Sequence, residues 1–327
     1  MQGKYVTVAD RQLTRQVSPE LVVPSLLKEE LLPLKPLLNV RTDIVALDIG
    51  ANKGFWAKAL LRMCGDKVQH IFLVEPSPEN CAELTRRDDS LVFDKADFDQ
   101  LSVYQFAMGS KEGHATLYTN EDGSPLASLY PHTINGYAPS HLSDIHLSEA
   151  IDVSVTTVDA LLENIGNPHI DIMKIDVEGH EFEVLRGAHG ALSRFAIDVI
   201  GLEFGIHQVE SRHFFKDFYT LFRDYGFTVY FARGGDLHKV TRYEYQYEVF
   251  TSNFQLIAAQ ERIAERLNTH GSWHDAALQQ YQSSLQAKEA KIADLKMALS
   301  RMQTVYERST SWRLTAPMRK VITAIRR

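Results

Sequence analysis

The 327-residue chain is 44% hydrophobic and 24% charged, enough apolar material for one large α/β core with an appendage. Two cysteines, Cys64 and Cys81, are too few for a disulfide framework and are expected as reduced thiols. The net charge of −7 hides an asymmetry: residues 254–327 hold 12 Lys or Arg against 6 Asp or Glu, and the rest holds 23 against 36, which excludes nucleic acid as a natural partner of the body and addresses the tail to an anionic surface.

Met1 to Gln16 has no apolar run of signal-peptide length, and the Leu-rich stretch Leu21 to Leu38 is interrupted by Pro24, Pro33 and Pro36. An N-terminal extension over 1–40 and a cytoplasmic location without a spanning helix are therefore expected. The next run, Ile44 to Leu47, leads into Asp48-Ile49-Gly50-Ala51-Asn52-Lys53-Gly54-Phe55-Trp56. A buried strand that ends in an acid and breaks at two glycines four apart lets backbone approach a ligand closely. The spacing departs from a dinucleotide fingerprint and suits a nucleoside-like cofactor. A second run, Ile71 to Val74, closes on Glu75-Pro76. An acid at that tip is placed to accept ribose hydroxyls.

Strand-like and helical patterns then alternate. They are Ile44–Asp48 and Phe55–Met63, Ile71–Glu75 and Pro78–Arg87, Val103–Ala107, Ile170–Asp176 and Phe182–Gly187, then Ile197–Phe204 and Phe214–Tyr225. This predicts a twisted, mostly parallel sheet covered by helices on both faces. Phe227–Phe231 and Tyr247–Phe250 read as a terminal hairpin, and Thr116 to Asp152 reads as a lid or substrate loop.

Lys174-Ile175-Asp176-Val177-Glu178-Gly179-His180-Glu181 ends the next buried strand in a cluster of ionisable groups, costly to bury without a partner or a purpose. Together with Asp-Ile-Gly-Ala-Asn-x-Gly, Glu-Pro, the Ala107 to Gly113 segment and Gly187-Ala188, this stretch resembles the FkbM family of S-adenosylmethionine-dependent O-methyltransferases over roughly residues 40 to 252. The resemblance implies a Rossmann-like class I methyltransferase fold with an antiparallel terminal strand.

It also implies that Asp48, Gly50, Asn52, Gly54 and Glu75 hold the donor, with Asn52 and Phe55 near the methionine moiety and Ala107 or Met108 against adenine. Phe55 and Trp56 suit core packing equally well. Ser128 lies in a segment similar to the family's cofactor-proximal loop, although a serine in a polar loop is often only solvated. Transfer of a methyl group to a hydroxyl requires alignment of donor and acceptor and removal of a proton. Asp176 is the first candidate for that role, with His180 or Glu178 as alternatives; Glu178 also suits a helix cap. Glu203 is a further carboxylate at the same sheet edge. Lys174 is read as turned away from Asp176 by strand alternation only if the register is regular at the tip, and is the weaker candidate. Asp176, Glu178, His180 and Glu203 include types that ligate divalent cations, but no spacing demands a metal, and none is assigned.

From Phe254 polar helix formers dominate, and Phe254 to Asn268 reads as a helix hinged at Gly271-Ser272. Leu278, Tyr281, Leu285, Lys288, Ile292, Leu295, Leu299, Met302 and Tyr306 recur at alternating steps of three and four, the pattern of a coiled coil and hence of a homo-oligomer. Beyond Trp312 and Pro317, Met318, Val321, Ile322 and Ile325 share a helix face among Arg319, Lys320, Arg326 and Arg327, as in a helix lying in a membrane interface. The Ser311-Trp312-Arg313-Leu314-Thr315-Ala316-Pro317 wording looks like the end of bacterial enzymes that build surface polysaccharide.

The expected organisation is therefore an extension over 1–40, a methyltransferase domain over 41–253, a helical and coiled-coil segment over 254–308 and a basic amphipathic helix over 309–327. The expected activity is methylation of a sugar hydroxyl on a lipid-linked, O-antigen-like polysaccharide at the inner face of the cytoplasmic membrane. Capping of the chain end and a glycosyltransferase or polymerase partner extend that expectation. A small-molecule acceptor or a non-catalytic scaffold are the alternatives.

Overall fold

The computed structural model describes residues 30–272 apart from 89, 91, 121, 132–146, 148, 234, 249–253 and 268, together with 291–293 and 295–297. The chain divides into two compact units, Met1–Gly271 and Ser272–Arg327. In the first, short apolar runs buried on both faces become strands, as in sheets covered by helices. These are β1 (Ile44–Ile49), β2 (Val68–Val74), β3 (Leu101–Tyr104), β4 (Ala107–Met108), β5 (Gly113–Thr119), β6 (Glu149–Thr156), β7 (Ile170–Ile175), β8 (Ile197–Phe204), β9 (Phe227–Arg233), β10 (Asp236–Val240), β11 (Phe254–Gln260) and β12 (Thr269–Ser272). Nine of them form one sheet in the order β12-β10-β9-β11-β8-β7-β1-β2-β3.

Strands β3, β2, β1, β7 and β8 are mutually parallel. Between β8 and β9 lies β11, antiparallel to both. The fold is thus Rossmann-like and mostly parallel with an antiparallel terminal strand, as the sequence predicts. Connecting helices include Phe55–Cys64, Pro78–Thr85, Val158–Asn164, Glu181–Arg186 and Phe215–Asp224. Ser77 caps the second by accepting from the Asn80 N–H, with Pro78 at its first turn, and Thr157 caps the third through the Ala160 N–H.

Several expectations need correction. Phe254 to Asn268 is not a helix: Phe254–Gln260 is β11, deep in the sheet, and only Glu261–Ala264 is helical. Leu256, Ile257, Ala258 and Ala259 are buried in the sheet, so pairing on both edges overrides their helix propensity and carries the domain past the expected boundary at 253. Gly271-Ser272, read as a hinge, ends β12. β9 forms its hairpin with β10, while Tyr245–Tyr247 is a 3-10 turn. Val103–Ala107 splits into β3 and β4. The ends of the expected lid over Thr116 to Asp152 belong to β5 and β6, which pair antiparallel and join β4 in a second, three-stranded sheet, while its middle, 132–146, lies outside the described residues. The extension over 1–40 is not separate throughout, because Leu31, Leu34, Leu37 and Leu38 are buried in the main core.

In the second unit, residues 291–293 and 295–297 are helical, with Ile292 and Leu295 exposed. The remainder of the predicted coiled coil and the whole amphipathic tail lie outside the described residues. No helix among the described residues is long and apolar enough to cross a membrane.

Candidate active site

A cleft of about 160 Å³ opens at the carboxyl ends of β1, β2 and β7, where the second sheet and the Ser124–Leu129 segment close over it. Its first wall is the turn after β1. Gly50 (φ +76°), Asn52 (φ +48°) and Gly54 (φ +81°) all adopt left-handed backbone. At Gly50 the reason is contact: a Cβ there would stand 1.9 Å from the Asp176 carbonyl oxygen, so only glycine lets the tips of β1 and β7 meet. Gly54 serves packing, since its Cβ would lie 2.5 Å from the Phe93 ring, and it does not line the cleft.

Glu75, buried at the tip of β2, holds this turn. Its Oε2 accepts the Asn52 N–H at 2.8 Å, and its Oε1 accepts the Ser77 N–H at 2.9 Å and the Asn80 side-chain amide at 3.4 Å. Burial pushes its carboxyl up from the ordinary range, and the Ser77 and Asn52 donors pull it back. A carboxylate has about four acceptor sites. One remains on Glu75, and a second is held only by the long Asn80 bond, which leaves capacity for a diol.

Phe55, Trp56, Ala107 and Met108 also line the cleft. Trp56 belongs to the main core as well. Phe106 lies beside Ala107 in the wall, a contact the sequence reading missed. Ser128 is buried there as a latch: its hydroxyl donates to the Glu178 carbonyl at 2.7 Å and accepts the Tyr130 N–H at 3.1 Å.

The far wall is the tip of β7. Lys174, thought to turn away from Asp176, instead stands beside it, because residues two apart on a strand share a face. Its Nζ lies 3.5 Å from Asp176 Oδ2 and 3.4 Å from Asp48 Oδ1, and it donates to the Gly50 carbonyl at 3.2 Å. Asp48 is completely buried beneath the cleft rather than lining it. Desolvation pushes its carboxyl up, and Lys174 opposes that. Asp48 is thus an internal counter-charge that fixes Lys174 and, through it, Asp176.

Asp176, Glu178 and His180 all reach the cleft, in different states. His180 accepts or donates at Nδ1 with the Tyr130 hydroxyl at 3.2 Å, and burial drives its pKa down to about 4. Glu178 lines the cleft but does not cap the helix: its Oε2 makes an ion pair with His207 Nδ1 at 3.0 Å. The turn is closed by Glu181, whose Oε1 accepts both the Val177 and Gly179 N–H groups at 3.1 Å. Burial pushes Glu181 up to about 7. Glu203 is buried on β8 and does not line the cleft.

Among the described residues, the one group of three acids or histidines with ligand atoms within 4.8 Å of one another is His169, Asp171 and Asp198. It lies at the opposite ends of β7 and β8 and is occupied by Arg41, which pairs with both acids, and Arg262, which pairs with Asp198. Asp176, Glu178, His180 and Glu203 form no such group.

A sheet of this order with a cleft at its carboxyl edge, floored by a glycine turn and an acid at the second tip, defines a Rossmann-like fold of the kind that holds a nucleoside. Residues 48–229 match the family model described as the methyltransferase FkbM domain, more than half of the chain, and the protein belongs to that family. Among curated proteins it is 25% identical over 170 residues to the hexuronic acid methyltransferase AglP of Haloferax volcanii, covering 52% of this chain and 60% of that protein. It is 26% identical over 158 residues to the 2-O-methyltransferase NoeI of Sinorhizobium fredii, covering 47% and 61%. The chain thus spans about three fifths of the length of these curated relatives. Among solved structures, the methyltransferase FkbM of Methylobacillus flagellatus superposes with a TM-score of 0.40 at 13% identity, over 76% of this chain and 52% of that one.

Proposed function

We propose that the protein is an S-adenosylmethionine-dependent O-methyltransferase acting on a sugar hydroxyl of a lipid-linked bacterial surface polysaccharide. The observation that carries this reading is the pairing, across one cleft, of a buried carboxylate with spare acceptor sites, Glu75, and an acid at the β7 tip, Asp176. Gly50 and Asn52, both at positive φ, line the same cleft beside Glu75. The sugar acceptor is supported by the substrate named for one relative, a hexuronic acid.

Glu75 would hold the ribose, Gly50 and Asn52 the methionine side, and Ala107 and Met108 the base. The bound cofactor would supply a methyl group made electrophilic by its sulfonium. Asp176, held by Lys174, would orient the acceptor hydroxyl and take up its hydrogen bond. His180 is neutral around pH 7, so its ring can accept a proton, though a pKa of about 4 makes it a weak base. Glu178, ion-paired to His207, holds the turn.

The tail extends the proposal. Residues 309–327 would rest on the inner face of the cytoplasmic membrane, and the heptads would associate copies of the chain. Methylation of a terminal sugar would stop further growth, and a polymerase or glycosyltransferase would then be the partner that shares this acceptor. Mass spectrometry of surface glycan from cells with and without the protein tests the acceptor. A loss of one methyl group per chain is expected, and an unchanged glycan would refute the reading.

A further inference from the structure

The turn from Asp176 to His180 carries two residues of the proposed site, yet its backbone is unfavourable. Glu178 sits at φ +53°, a left-handed conformation that a non-glycine residue keeps only where its surroundings over-determine it. Gly179 follows at φ +108°, and a Cβ on it would stand 2.8 Å from the His207 carbonyl oxygen. The turn therefore lies in backbone contact with the loop after β8. Two side chains from that loop reach into it. His207 Nδ1 meets Glu178 Oε2 at 3.0 Å, and Gln208 donates to Glu181 Oε2 at 2.7 Å while its own carbonyl accepts the Gly205 N–H at 2.6 Å.

We propose that His207 is a positioning residue, whose buried ion pair with Glu178 holds the Asp176–His180 turn in the shape that presents both residues to the acceptor. The ion pair fits that role by its burial, since the two side chains are 11% and 6% exposed and an unpaired carboxylate there would be strongly disfavoured. Glu178 is then anchored at both ends, by His207 through its carboxylate and by Ser128 through its carbonyl. The charged groups facing His207 are Glu178, Glu203 and Glu181. Burial alone would depress the imidazole, but these three carboxylates, Glu178 foremost, push it up to about 9. A folded-state pKa above the ordinary 6.5 means the pair contributes fully below about pH 6.5 and is lost as pH rises through about 9.

The inference rests on reading the cleft as the methyl-transfer site, and its test separates the two. Hydrogen exchange of the Val177 and Gly179 amides, both bound by Glu181, reports the turn directly. In the full-length protein, protection of these amides beyond the intrinsic pH effect should step down near pH 9, and His207→Gln should show at least tenfold faster exchange at pH 7 with no such step. With surface polysaccharide from cells lacking the protein as acceptor, His207→Gln should lower kcat at least tenfold. Its S-adenosylmethionine affinity by calorimetry should stay within threefold.

Glu178→Gln and the double variant keep the test open if His207→Gln misfolds. A shared device predicts a double variant no worse than the more damaging single one, and losses that multiply would overturn it, as would wild-type exchange and kcat in His207→Gln. Failure of the wild-type protein to bind S-adenosylmethionine would overturn the site reading instead, while the exchange step at pH 9 would still decide the role of the pair in shaping the turn.

Discussion

Replacing Gly50 with alanine tests whether the tips of β1 and β7 meet as closely as described. Alanine at φ +76° occupies left-handed backbone, at a cost of about 1–2 kcal/mol. Its Cβ would also stand 1.9 Å from the Asp176 carbonyl oxygen and 2.9 Å from the carbonyl carbon, so backbone must move by more than an ordinary contact allows. That movement is resisted by the register Asp48 with Lys174 and Ile49 with Ile175, and by the Asp176 N–H bond to the Ile49 carbonyl at 3.0 Å. Overpacking of this kind costs about 1–3 kcal/mol, giving a total of about 2–5 kcal/mol. Gly166→Ala is the control: Gly166 also has a positive φ, at +88°, but nothing lies within 4 Å of an added Cβ, so only the backbone penalty of about 1–2 kcal/mol applies. Both substitutions stiffen the unfolded chain alike, and that effect cancels between them. Urea unfolding of the two variants gives the difference directly. If they match within about 0.5 kcal/mol, the close approach of the strand tips is refuted.

Glu75→Ala removes a charged acceptor, worth about 1.5–3 kcal/mol, so S-adenosylmethionine affinity should fall at least tenfold by calorimetry; wild-type affinity in a folded variant would remove Glu75 from the ribose site. Asp176→Asn keeps the shape but lacks the charge and basicity, so methyl transfer should be lost with cofactor affinity within threefold. A near-wild-type rate would pass its role to His180. Because the pKa of His180 is depressed from 6.5 to about 4, it contributes stability above pH 6.5 that is lost as pH falls through about 4. Thermal unfolding between pH 7 and pH 4 should therefore show a steeper acid loss for wild type than for His180→Gln, and parallel curves would place His180 in contact with water. Glu181 acts in the opposite sense: raised from 4.5 to about 7, it contributes below pH 4.5 and loses that contribution as pH rises to about 7.

Much of the donor side was legible because the features there are local. A run such as Ile44–Ile49 followed by Gly50, and Val68–Val74 followed by Glu75, signals a strand and its tip through a few adjacent residues. Side-chain spacing along one segment decides such elements, so β1, β7, β8 and the helix Phe55–Cys64 fall within a residue or two of expectation at most boundaries. The acceptor side was less legible because its partners are far apart in sequence. Nothing within the segment around Glu178 shows that its carboxylate belongs to His207, or that Glu181 bonds Gln208. Lys174 stands beside Asp176 because residues two apart on a strand share a face, which the spacing along β7 alone implies.

The sequence by itself determined the class of fold, the family and the motifs that border the cleft, since these depend on periodicity and on residue types a few positions apart. Tertiary structure decided the rest. It alone placed Phe254–Gln260 in the sheet, because a strand flanked on both sides by partners gains backbone pairing and burial that local helix propensity cannot match. It alone sorted the ionisable cluster into an internal counter-charge at Asp48, an anchor at Glu178 paired with His207 and a cleft acid at Asp176 paired with Lys174, because the charge state of a buried group is set by neighbours that chain folding brings within a few ångströms.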